Sequence, residues 1–191
     1  MSHEIPADHE EFEPSWDPTR LAVSSGNLLI VVSYIGAILT GFFLFGRGIP
    51  VGLGAVGLSV LTIALHECVH ALVGKWYGCT VSFGIDTEGW NLTPYVNTFG
   101  RFNTRTQQAI IAIAPVVSLT VLGLCGLLLV GPVTNLGLSM ALALCVNINS
   151  SVMGVTSDVN NTYRLLKLPP ETRCKDTPDG RIFIRPETRS E

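Results

Sequence analysis

Leu65-His66-Glu67-Cys68-Val69-His70-Ala71-Leu72-Val73 lies deep in an apolar run from Val51 to Trp76, in which Glu67 and Lys75 are the only formally charged side chains. A run of about 20 apolar residues is long enough to cross a hydrocarbon core of about 30 Å, so the stretch reads as a membrane helix. On a helix, positions i and i+4 share a face one turn apart. Two imidazoles so placed can hold one zinc ion at about 2.0–2.1 Å each. A glutamate between them can take a proton from a metal-activated water. With four His and nine Glu in 191 residues, chance supplies about 0.004 matches to H-E-x-x-H.

Working outward, the charges are segregated. Arg47 and Glu67 are the only charged side chains from Asn27 to Gly74, and none occurs from Thr106 to Ser157. Hydrophobic residues make up 47% and charged ones 14% of the chain, a balance that favours an integral membrane protein over a soluble domain. The pattern predicts an all-α integral membrane fold: a bundle of about four transmembrane helices with a small β-rich loop between helices two and three. The spans fall at about Asn27–Phe45, Val51–Trp76, Gln107–Val130 and Leu136–Thr156. Residues 1–26 read as an acidic disordered tail, 27–163 as the membrane domain and 164–191 as a cytoplasmic C-terminal tail. The acidic start is unlike the basic start of a secretory signal. Lys and Arg concentrate on the side of both tails and the 77–106 loop, against Arg47 alone opposite, which predicts cytoplasmic termini in a multi-pass membrane protein.

Within the 77–106 loop, Thr80-Val81-Ser82-Phe83-Gly84-Ile85 has strand character, and near the end Thr177-Pro178-Asp179-Gly180 reads as a turn before the short strand Arg181-Ile182-Phe183-Ile184. The five cysteines form no C-x-x-C pair and predict no disulfide framework. No basic patch with interleaved aromatics points to nucleic acid. Gly52-Leu53-Gly54-Ala55-Val56-Gly57 fits G-x-G-x-x-G, but it sits inside an apolar span without a strand-turn-helix setting, so close helix packing is the better account. His3 and His9 sit among polar residues of the tail and read as solvated.

Ionisable groups in a span cost roughly 2.5–3.5 kcal/mol each when central, and persist where they face partners inside a bundle. Span two carries a polar and small stripe, Ser59, Thr62, His66, His70 and Gly74. Asn147, Ser151, Gly154 and Asp158 form a second stripe through span four. Both stripes run toward the same side, so the histidines and Asp158 can meet at one depth. A hydrolytic zinc takes three protein ligands and leaves a position for water. Asp158 is the candidate third ligand; the competing reading is a surface carboxylate or helix cap. Asn147 and Asn149 are read as cross-helix hydrogen-bonding residues in preference to oxyanion donors.

The run Leu65 to Val73 resembles the metal-binding helix of the site-2 protease group. It is closer still to a family of small zincin membrane peptidases of about four spans found in bacteria and archaea. Ala114-Pro115, Ser157-Asp158 and Leu166-Lys167-Leu168-Pro169 match features of that family. The site-2 proteases usually show Asn and Pro shortly before an Asp-Gly, where this chain has Ser157-Asp158-Val159. The resemblance implies a zinc-dependent intramembrane or membrane-surface endopeptidase in the plasma membrane of a prokaryote. Zn2+ would be held by His66, His70 and Asp158, with Glu67 as general base and then proton donor to the leaving amine. Metal binding needs neutral imidazoles, so activity should fall at acid pH. The implied partners are the lipid bilayer and a membrane-protein or peptide substrate, which Thr80–Ile85 can meet by strand addition. The alternative is a non-proteolytic zinc-binding membrane protein: a carrier, a sensor or a degenerate peptidase. A haem-binding bundle ranks low, since two His on one helix face do not supply opposite axial ligands.

Overall fold

The computed structural model describes residues 5–6, 8–14, 48–86, 93–152, 158–177 and 180–187. The expected span Asn27–Phe45 lies outside them. In chain order the elements are β1 (His9–Glu11), α1 (Gly48–Trp76), β2 (Thr80–Asp86), β3 (Thr93–Phe99), β4 (Asn103–Thr104), α2 (Arg105–Val130), α3 (Asn135–Val152), α4 (Asp158–Lys167), β5 (Arg173–Thr177) and β6 (Gly180–Pro186).

The all-α bundle of about four spans is therefore incorrect. Among the described residues, four helices combine with two antiparallel sheets: a four-stranded sheet in the order β1-β6-β5-β4 and the hairpin β2-β3. Two helices, at Ile49–Trp76 and Arg105–Val130, are long and apolar enough to cross a membrane. The described apolar stretch of α3, Asn135–Ile148, is shorter than either of these. Asp158 belongs to α4, and residues 153–157, between α3 and α4, lie outside the described residues. Hydropathy detects spans well but says little about polar segments that find strand partners far away in sequence. His9–Glu11, expected in a disordered tail, pairs with β6 in the register His9↔Pro186 to Glu11↔Ile184. The expected C-terminal tail supplies the end of α4 from Arg164 to Lys167 and both β5 and β6; its short strand is present within β6.

Local sequence fixes the entries into these elements. Thr104 caps α2: its side chain accepts from the Gln107 backbone N–H, and the Gln107 side chain accepts from the Thr104 N–H, a reciprocal capping box. Gly78, at φ +82°, turns the chain from α1 into β2. Gly74 lets β3 close on α1, since a Cβ there would come within 2.6 Å of Thr98 Cγ2.

Packing differs between the two ends. The helices bury small or polar residues, among them Ala55, Ser59, Ala71, Ser139, Ala143 and Asn147, and expose Leu53, Leu72, Leu122, Leu128 and Leu129. Small residues let helix backbones approach closely. Ser139 Oγ donates to the Val51 carbonyl across α1 and α3 at 3.0 Å. At the other end, Leu165, Leu168, Cys174 and Phe183 pack on Ala109, with Phe12 against them.

Candidate metal centre

α1 carries His66 and His70 one turn apart, with ring centroids separated by 4.9 Å and planes at 76°. Asp158, the first residue of α4, reaches both: its Oδ2 is 2.9 Å from His66 Nε2 and its Oδ1 is 3.4 Å from His70 Nε2. One donor atom from each of the three lies within 4.8 Å of the others. All three side chains are largely buried, at 14%, 14% and 19% exposure. The two histidines of α1 and Asp158 of α4 thus come together at one place in the fold.

The far side of each ring decides what the near side can do. His70 Nδ1 lies 2.8 Å from the Ile111 carbonyl and His66 Nδ1 lies 3.3 Å from Asn147 Oδ1. Both partners are acceptors, so both Nδ1 atoms carry hydrogen and donate. In neutral rings the Nε2 lone pairs then face the Asp158 carboxylate. Nitrogen and oxygen lone pairs at such distances need a positive charge between them: a proton, or a cation shared by all three. Two ligands at about 2.0–2.1 Å from a tetrahedral zinc stand roughly 3.3 Å apart, and the observed separations bracket that value. The donor set, two imidazoles and one carboxylate, suits zinc, and orienting bonds on the outer nitrogens are usual at such sites. Burial raises the Asp158 carboxyl, but its contacts with His66 and His70 outweigh that and hold it below the ordinary carboxylate value.

Glu67 lies beside the histidines, with the Val96 backbone N–H of β3 directed at its carboxylate and His66, His70 and Asp158 all within electrostatic range. Asn147, expected to hydrogen-bond across helices, does so from α3 to α1, and its partner there is the candidate ligand His66. Asn149 and Ser151 have side chains outside the described residues, as does Gly154 entirely. His9, read as solvated, is instead 12% exposed on β1, with Nδ1 2.8 Å from Asp8 Oδ1. All five cysteines are free; burial pushes the Cys174 thiol up to about 12, so it serves as core rather than ligand.

Several contributors were not anticipated from the sequence. Asn161 shares a face of α4 with Asp158, and its Oδ1 accepts from Arg181 Nη1 at 3.0 Å. Arg181 Nε donates to Asp176 Oδ1 at 2.6 Å. Asp176 Oδ2 accepts from Thr98 Oγ1 at 2.8 Å and from Gln108 Nε2 at 3.0 Å. These groups line a polar cavity of about 130 Å³ that is shared with His70 and Asp158. Between α1, α2 and α3, an apolar cavity of about 210 Å³ runs from Leu58 and Leu122 to Asn147, the partner of His66.

A family model described as "Putative zincin peptidase" matches residues 59–172, more than half of the chain. The chain belongs to that family. The zincin match begins at Ser59, includes His66, Glu67, His70 and Asp158, and stops before β5, so Asp176 and Arg181 lie beyond it. Searches of curated proteins and of solved structures returned no significant match.

Proposed function

We propose that the protein is a zinc-dependent endopeptidase acting within or at the surface of a membrane, on a peptide or membrane-protein substrate. The observation that carries this reading is the convergence of His66 Nε2, His70 Nε2 and the Asp158 carboxylate, with Glu67 alongside. Zinc, when bound there, supplies Lewis acidity that acidifies water and polarises a peptide carbonyl. Glu67 stays outside the ligand set. Its carboxylate accepts a proton from the attacking water and returns it to the leaving amine. The Val96 N–H steadies the Glu67 carboxylate from β3. The expected substrate edge, Thr80–Ile85, belongs to β2, whereas β3 is the strand beside Glu67. An extended substrate is therefore better placed along β3. Asn147 and the Ile111 carbonyl hold the two rings with Nε2 toward Asp158.

The leucines exposed on α1 and α2 support a lipid setting for both helices. Lys75, Arg101, Arg105, Arg164 and Lys167 gather at the sheet end, while the Gly131–Thr134 turn at the other end of α2 has no charged residue. That asymmetry favours a cytoplasmic sheet end.

The test is Glu67→Gln against His66→Ala in purified, metal-loaded protein. His66→Ala should abolish stoichiometric zinc. Glu67→Gln should keep it and lower turnover by a factor on the order of 10² or more. Comparing membrane proteomes of cells carrying wild-type or Glu67→Gln protein supplies candidate substrates. If no peptide differs and the variant supports the same phenotype, the protein is a zinc carrier or sensor instead.

A further inference from the structure

We infer that Pro115 is a positioning residue of the metal centre, acting through the backbone hydrogen bond that it cannot make. Pro115 lies inside α2 and its side chain is fully buried. In an α-helix the N–H of residue i donates to the carbonyl of residue i−4. Proline has no N–H, so the carbonyl four residues earlier loses its helical donor. For Pro115 that carbonyl is Ile111, the acceptor of His70 Nδ1–H at 2.8 Å. Ile111 is itself buried, with 4% exposure, so water is a poor substitute donor and an unpartnered carbonyl there would be costly. The proline vacates the acceptor and His70 fills it. That one bond fixes the His70 tautomer and turns Nε2 toward Asp158.

The arrangement has a directional consequence. Alanine at position 115 returns an N–H to the helix, which competes with His70 for the Ile111 oxygen. The helix gains a hydrogen bond while the histidine loses its orienting one. A proline present only to bend or pack α2 predicts the reverse, with stability and site falling together.

This inference rests on the reading of His66, His70 and Asp158 as metal ligands, and the experiment separates the two. Wild-type, Pro115→Ala and His70→Ala proteins are purified in micelles and titrated with zinc against a chromophoric chelator. Their cobalt(II) absorption spectra and the thermal midpoints of the metal-free forms are also recorded. Pro115→Ala should bind zinc ten- to a hundredfold more weakly, the usual loss when an orienting partner of a ligand is removed. It should also show an altered cobalt spectrum and a midpoint no lower than wild type. Nitrogen NMR of metal-free, histidine-labelled protein should show His70 moving from the Nδ1–H form toward the other tautomer. Replacing residue 115 by lactic acid, which removes the N–H without the ring, should restore both tautomer and affinity. Wild-type affinity and an unchanged tautomer in Pro115→Ala would overturn the role of Pro115. Failure of wild type to bind zinc, with the tautomer shift still present, would overturn the ligand reading and leave the Pro115 bond standing.

Discussion

The two ends of the molecule bury opposite kinds of side chain. In the helical end, Ala55, Ser59, Ser139 and Asn147 face inward while Leu53, Leu72, Leu128 and Leu129 face out. In the sheet end, Leu165, Leu168, Phe183 and Ile184 are inside, and exposed polar groups such as Arg185 and Glu10 face out. Apolar burial drives folding only where the alternative is water; in lipid, association relies on close packing and on hydrogen bonds between helices. The contrast fits one end in hydrocarbon and the other in water. The candidate metal centre sits at the seam, with the histidines contributed from the first and Asp158 from the second. A site there can use a buried, low-dielectric setting while a polar cavity on the sheet side admits water.

The sharpest way to break this comparison is to cut the same group from each end. Leu165 is 1% exposed in the core of the sheet end. Leu165→Ala should cost about 2–5 kcal/mol, the usual range for an aliphatic truncation that leaves a cavity. Leu128 is 84% exposed, and Leu128→Ala should change stability by no more than about 0.5 kcal/mol. Val117, exposed near the middle of α2, adds a complementary probe. Val117→Lys should lose roughly 2.5–3.5 kcal/mol of apparent insertion free energy in a translocon assay. Unfolding titrations in detergent measure the first pair. Equal losses at Leu165 and Leu128 would mean that protein, not lipid, covers α2.

The comparison also explains what could be read from sequence. The helical end was legible because its signals are local: an apolar run of adequate length and two histidines at one-turn spacing. Asp158 was legible through its register with Asn147, at the four- and three-residue spacings of a helical stripe. The sheet end was opaque because its partners are remote. Glu10 meets Arg185 across 175 residues of sequence, and Gln108 meets Asp176 across 68. The acidic composition of residues 1–14 suggests disorder when taken alone, yet β6 offers His9–Glu11 a strand edge. Pro115 was visible as part of an Ala-Pro pair. Its consequence for His70 needed the distance to Ile111.

A smaller effect sharpens the link between the ends. Arg181 joins β6 to α4 through Asn161 and is itself held by Asp176, with 24% and 16% of the two paired side chains exposed. Arg181→Ala removes two hydrogen bonds that involve a charged group, and about 1.5–3 kcal/mol of stability should go with the stronger of them. Asn161 shares a face with Asp158, so zinc affinity should also fall, by about tenfold, at the lower end of the usual range for outer partners. Arg181→Lys keeps the charge but not the fork that reaches two acceptors, and should recover only part of the loss. Wild-type zinc affinity in Arg181→Ala would show that α2 alone positions α4, through Ala109 and the carbonyl contacts of Arg105.

The smallest expected effect comes from the other arginine on the same strand. Arg185 lies four residues from Arg181, hence on the same face of β6, and pairs with Glu10 of β1 at 2.7 Å. Its guanidinium also lies 5.2 Å from the centre of the Phe12 ring. Here 45% and 40% of the paired side chains are exposed. Solvent and salt screen such a pair, which is typically worth about 0–1 kcal/mol. An exposed cation over a ring adds about 0.5–1 kcal/mol. Arg185→Ala should therefore cost no more than about 1–2 kcal/mol, with the ion-pair share shrinking as salt is raised. Zinc affinity should stay at the wild-type value, because Arg185 donates to Glu10 of β1, on the side of β6 away from β5. Chelator titration of Arg181→Ala and Arg185→Ala in parallel makes the distinction. If both weaken zinc equally, the metal centre depends on the hairpin as a whole, held by β1, and the bridge from Asp176 to Asn161 has no special part in it.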